Sequence, residues 1–167
     1  MKESVLDILI YLFENYSHPE FDPEDSDGEA ADNEGNIRDT LRHELEQAGF
    51  GATLIDSALG WLDSLAEGGE RALPTPAARA VRVFAERECA KLDPECRNYI
   101  LYLENIGILN PTQRELVIDR LWALDARAVD LDQTKWVILM VLFNQPGQEE
   151  AYARMEELLS GARAALH

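Results

Sequence analysis

The sequence predicts a mainly α-helical protein: a multi-helix bundle with a helix-turn-helix/winged-helix-like N-terminal half and at most one short β-hairpin, around residues 71–85. Three observations lead there. Apolar residues recur at helical spacing along most of the chain. Several segments open with a capping residue and a proline or a reciprocal side chain three positions on. Eight apolar side chains run unbroken from Trp136 to Phe143, bounded by Lys135 and Asn144. A helix apolar all round has to be enclosed by neighbours, and each large side chain buried contributes roughly 1.5–3 kcal/mol. The run is too short to span a bilayer, which takes about 20 apolar residues as a helix. It marks the core.

The elements follow in order. Val5, Leu9, Leu12 and Tyr16 form one stripe over residues 3–16, with Leu6 and Phe13 beside it. Residues 17–35 then read as a solvated acidic loop, because eight acids and no Lys or Arg lie between Glu20 and Glu34. A calcium-loop reading fails, since Pro23 falls where an EF-hand needs its first Asp. Asn36, with Asp39 three residues on, is expected to cap a second helix that ends at Gly49. Thr53 with Asp56 caps a third, which carries Ile55, Ala58, Leu59, Leu62 and Leu65 inward and closes at Gly68-Gly69. Two helices joined by the short glycine-bearing link Gly49-Phe50-Gly51 suggest helix-turn-helix geometry.

Residues 71–85 contain Pro74 and Pro76, and Val81 and Val83 alternate as in a strand. A helical piece around Glu86–Leu92 leads to Asp93-Pro94, a cap followed by proline at the first helical position. The helix after it would carry Tyr99, Tyr102, Leu103 and Ile106 on one face and end at Gly107. Asn110-Pro111 with Gln113, and Asp130 with Gln133, open two further helices. Pro146 stops the second of these near Asn144. A last helix from about Gln148 presents Tyr152, Met155, Leu158 and Leu159. The expected organisation is an N-terminal subdomain, 1–85, and a helical C-terminal subdomain, 86–167, sharing one core.

The charge balance narrows the function. With 32 Asp and Glu against 15 Lys and Arg, the formal net charge is −17. That excess repels phosphate backbones at long range and counts against membrane binding. The strongest departure from it is the basic stretch Arg71–Arg97. There Arg79, Arg82, Arg87, Lys91 and Arg97 form a candidate interaction face for nucleic acid, or a set of ordinary surface charges paired with nearby acids. The candidate recognition helix, from Thr53 to Glu67, holds three acids and no Lys or Arg, which disfavours groove reading.

Chemistry is scarce. His18, His43 and His167 stand far apart, at no metal-ligand spacing and in no nucleophile motif. Neither glycine pair precedes a Lys-Ser or Lys-Thr, so no phosphate loop is expected. No catalytic residue, metal or cofactor is therefore expected. Cys89 and Cys96 match no zinc spacing and read as buried or half-buried thiols in a reducing, cytoplasmic setting. Trp61, Trp122 and Trp136 are expected in the core; one left exposed beside a Tyr would mark a protein-binding patch.

Several stretches together carry a resemblance: ILIYLFENY, IDSALGWLDSL, CRNYILYLE, RELVIDRLWAL and, above all, LDQTKWVILMVLFNQPGQEEAYARMEELL. In this order they are similar to the bacterial Smg protein family over nearly the whole chain outside the acidic loop. The sequence departs from that family at the longer acidic loop and at Ala85, where a capping Thr or Ser is expected. The resemblance supplies no catalytic residues. Members are often encoded near DNA-processing and translation-related genes, which favours nucleic acid by association only. The expectation is a cytosolic bacterial protein acting as a non-enzymatic module that binds a protein partner, the alternative being a winged-helix-like nucleic-acid binder.

Overall fold

The computed structural model describes residues 4–16, 30–70 and 81–165. These form eight helices: α1 (Val5–Tyr16), α2 (Ala30–Gln47), α3 (Ala52–Glu70), α4 (Glu86–Lys91), α5 (Pro94–Asn105), α6 (Pro111–Trp122), α7 (Leu131–Phe143) and α8 (Glu149–Ala165). The chain is mainly helical, as the periodicity predicts. It divides into two compact units, Met1–Gly60 and Trp61–His167, with the boundary inside α3.

In the first unit, Ser4 and Asp7 form a reciprocal cap at the start of α1: the Asp7 amide donates to Ser4 Oγ at 3.2 Å and the Ser4 amide to Asp7 Oδ2 at 3.1 Å. Val5, Leu6, Ile8, Leu9 and Leu12 are buried, whereas Tyr16, expected on that stripe, is 39% exposed. The helix α2 begins at Ala30, well before Asn36, so the expected acidic loop ends sooner and its remainder, residues 17–29, lies outside the described residues. At its other end Gly49 adopts φ 94°. The Phe50 amide then reaches Leu45 O and the Gly49 amide Glu46 O, closing a Schellman turn.

The helix α3 starts at Ala52, one residue before the expected Thr53 cap, with Gly51 O accepting from Ile55 N at 3.0 Å. It also runs through Gly68-Gly69 to Glu70 rather than closing there. Gly68 meets a packing need: a Cβ placed on it would stand 3.0 Å from Leu116 Cδ1 on α6.

In the second unit, the expected hairpin is corrected. Residues 71–80 lie outside the described residues, residues 81–85 form no strand, and the β pairing found is an isolated parallel bridge, Leu92 to Val129. The alternation itself is real. Val81 and Val83 face solvent while Arg82 and Phe84 turn inward, but no ladder partner is present among the described residues, and the winged-helix expectation finds no support in them. The capping signals of α5, α6 and α7 hold. Asp93 accepts from Cys96 N at 2.8 Å, and Asn110–Gln113 and Asp130–Gln133 each close a reciprocal pair. Ala85 starts α4 without a side-chain cap, and its own amide donates to Glu88 Oε2 at 2.8 Å.

The central helix is α7, packed against α5, α6 and α8. Val137 to Leu142 are all buried. The two ends of the octet differ from expectation: Trp136 is half-buried and Phe143 is 49% exposed. Tyr102 is likewise exposed, with Cys96, Ile100 and Leu103 forming the inward face of α5.

Candidate functional site

The basic stretch can be followed residue by residue. Arg79 lies outside the described residues, and Arg87 is exposed. The Arg82 guanidinium donates to Glu88 Oε1 at 2.6 Å and to Glu115 Oε1 at 2.9 Å, and it lies over the Phe84 ring. Burial raises the carboxyl pKa of Glu88, but the hydrogen bonds from Arg82 and the Ala85 amide more than offset this and hold it low. Arg97 reaches the Leu92 carbonyl at 3.1 Å and Cys89 Sγ at 3.2 Å. Lys91 donates to the carbonyls of Trp122 and Leu124. Three of the five named cations thus direct their donors at the protein's own acceptors.

The Arg82 pair extends into a longer ionic chain. Arg114, only 3% exposed, holds both carboxylate oxygens of Glu104 at 2.8 Å and shares Glu115 with Arg82. Every buried polar side-chain atom among the described residues has a partner. The second unit's interior polar groups are satisfied from within.

Both cysteines are free thiols, Cys89 half-buried and Cys96 buried. Burial raises Cys96 to about 11, and its thiol donates to Val129 O at 3.4 Å. Of the tryptophans, Trp61 is buried with Nε1 on Arg120 O at 3.0 Å. Trp122 is 47% exposed, so the core expectation does not hold for it. The ring finishes α6 on its outer side, with Lys91 above it.

The feature missed by sequence reasoning lies in the first unit. An open cleft of about 560 Å³ runs between α1 and α2, lined by Tyr11, Asn15, Tyr16, Glu44, Gln47 and Ala48. The Tyr16 hydroxyl donates to Glu44 Oε2. That bond to a carboxylate, reinforced by partial burial and by the charge of Glu44, raises the Tyr16 phenol to about 12. Tyr11 is braced edge-on against Phe50, ring centroids 5.8 Å apart. Asn15 Nδ2 donates back to Tyr11 O at 2.7 Å, and Gln47 Nε2 lies 2.9 Å from His43 Nε2. Tyr16 and Glu44 stand 28 residues apart; the available signal was two tyrosines at the polar end of α1.

The cleft sits in the most acidic part of the chain. Residues 1–60 hold fifteen acids against Lys2, Arg38 and Arg42, a net charge of −12, and residues 61–167 hold seventeen against twelve, a net −5. Arg42 is itself paired with Asp56.

Among the described residues no group of three or more His, Cys, Asp or Glu side chains is placed to hold a metal ion, and no helix is long and apolar enough to cross a membrane. Residues 5–167 match the model of the family described as "Protein of unknown function (DUF494)". The chain is 50% identical over 161 residues to the Protein Smg homolog of Halorhodospira halophila, covering 95% of this chain and 94% of that one. It is 51% identical over 156 residues to the Protein Smg homolog of Stenotrophomonas maltophilia, covering 93% and 92%. With the Protein Smg homolog of Methylococcus capsulatus it shares 46% over 159 residues, covering 95% and 94%. No solved structure gives a significant match. A match over almost the full length establishes that the chain belongs to the Smg (DUF494) family.

Proposed function

We propose that this chain is a non-enzymatic module of the bacterial cytosol that binds a protein partner through its acidic first unit. What supports the reading is the charge of the sequence, net −12 over residues 1–60, together with an open cleft in that unit whose described walls are aromatic and polar. Such a surface steers basic partners toward it and slows the approach of nucleic acid. The nucleic-acid alternative has less support, because Arg82, Lys91 and Arg97 are engaged with acceptors of the protein itself. Exposed Trp122 and Phe143 on the second unit add apolar area of the kind enriched at interfaces.

Copurification of the tagged full-length chain from a bacterial lysate tests the reading. A stoichiometric protein with a basic surface, released as salt is raised, is the expected result. Recovery of no stoichiometric protein, or of nuclease-sensitive material alone, contradicts it.

A further inference from the structure

We infer that the cleft between α1 and α2 receives an arginine side chain from a basic segment of the partner protein, with the Glu44 carboxylate as its anchor. This rests on the protein-binding reading above and assigns that site a ligand chemistry. The argument is an inventory of donors and acceptors. Asn15 turns its amide nitrogen to Tyr11 O, and Gln47 turns its own to the His43 ring, so both side-chain carbonyl oxygens remain as acceptors at the rim. Tyr16 gives its one hydroxyl proton to Glu44 Oε2, which leaves the phenol oxygen able only to accept and Glu44 Oε1 with no hydrogen-bond partner among the described residues. The lining is therefore rich in acceptors and carries a negative charge.

Its complement is a cation that only donates. Arginine has five N–H donors in a planar fork and no acceptor, matches a carboxylate, and stacks on aromatic rings. Tyr11 and Tyr16 supply two such rings in the lining. The net sequence charge of −12 over residues 1–60 favours a basic segment over an isolated neutral ligand. Tyr16 also holds Glu44 in place before the guest arrives, which lowers the ordering cost of binding.

The test is an amide-resolved NMR titration of the isotopically labelled full-length chain with a short arginine-bearing peptide. Parallel arms use the same peptide with citrulline or lysine in place of arginine, and spermine. The expected result is a set of shift changes at residues 11–16 and 44–48, with citrulline weakening binding about tenfold. Glu44→Gln is expected to weaken the arginine peptide about fivefold, while the rest of its spectrum stays unchanged and shows the fold intact. Tyr16→Phe gives a smaller loss. Equal affinity for the citrulline peptide overturns the inference, as do equal or tighter binding of lysine or spermine, shifts confined to other surfaces, and an unaltered affinity of Glu44→Gln. A partner that copurifies with the chain and binds Glu44→Gln equally well overturns the inference alone. Failure to copurify any partner overturns the broader reading.

Discussion

Lys91 holds Trp122 in two ways: its ammonium lies 5.4 Å from the indole ring centroid and donates to the carbonyl of the same residue at 2.7 Å. A second bond, 2.6 Å long, reaches Leu124 O. These carbonyls lie at the C-terminal end of α6, where the helix dipole favours a cation. Burial lowers the pKa of Lys91, partly countered by the charge of Asp125. Lys91→Met should cost about 1–2 kcal/mol in urea denaturation, after allowing for partial exposure, and Lys91→Arg less. An unchanged midpoint for Lys91→Met would show that the cap contributes nothing.

Glu104 and Arg114 give an asymmetric prediction. Arg114 is 3% exposed, whereas the Glu104 side chain is 23% exposed. Without Arg114, Glu104 can turn to water; without Glu104, Arg114 keeps Glu115 but its buried Nη1 loses the acceptor it faced. Glu104→Ala should therefore destabilise by about 1–3 kcal/mol, more than Arg114→Met. Thermal or urea unfolding of the two variants decides, and the reverse order would refute the account of this network.

The Tyr16 phenol should titrate near 12, above its ordinary 10.0, chiefly because it donates to Glu44. A raised folded-state pKa means that the folded form holds its proton longer than the unfolded one. The stabilisation is thus complete below pH 10 and disappears as pH rises through about 12. Ring-carbon NMR titration of Tyr16 measures this directly. Glu44→Gln should return the midpoint toward 10, and a midpoint unmoved by that substitution contradicts the hydrogen bond.

Two positions of α7 should separate sharply. Ile138 is fully buried, while Phe143 is 49% exposed. Placing an unpaired carboxylate at Ile138 combines lost apolar burial with charge desolvation, so Ile138→Asp should remove more than about 4 kcal/mol and leave little folded protein. Phe143→Asp should change stability by less than about 1 kcal/mol. Circular dichroism melts distinguish them, and similar melting temperatures would refute the enclosure of α7.

The parts of the fold legible in the sequence were the ones fixed by local chemistry. Asn110 with Gln113 and Asp130 with Gln133 satisfy helix-end donors within four residues, so their spacing suffices. Gly107 likewise ends α5 through a local turn, with φ 79°. Gly68 was misread as a terminator because its role depends on Leu116, forty-eight positions away, and no local pattern reports that approach. Asn36 resembles a helix start, yet the helix already runs from Ala30, because a capping residue inside a helix does not break its hydrogen-bond ladder. Arg82 shows the same limit for the site. Its charge is visible in the sequence, but Glu88 and Glu115 become its partners only after folding. Tyr16 and Glu44 belong to different helices, so their cleft was invisible to periodicity.

The most direct test of the protein-binding account is a fluorescence-anisotropy titration of the full-length chain against two labelled ligands, an arginine-bearing basic peptide and duplex DNA, at matched ionic strength. The account predicts that the peptide binds, with affinity falling as salt rises, and that the DNA does not bind at micromolar protein. Binding of the DNA in that range while the peptide stays free would contradict it.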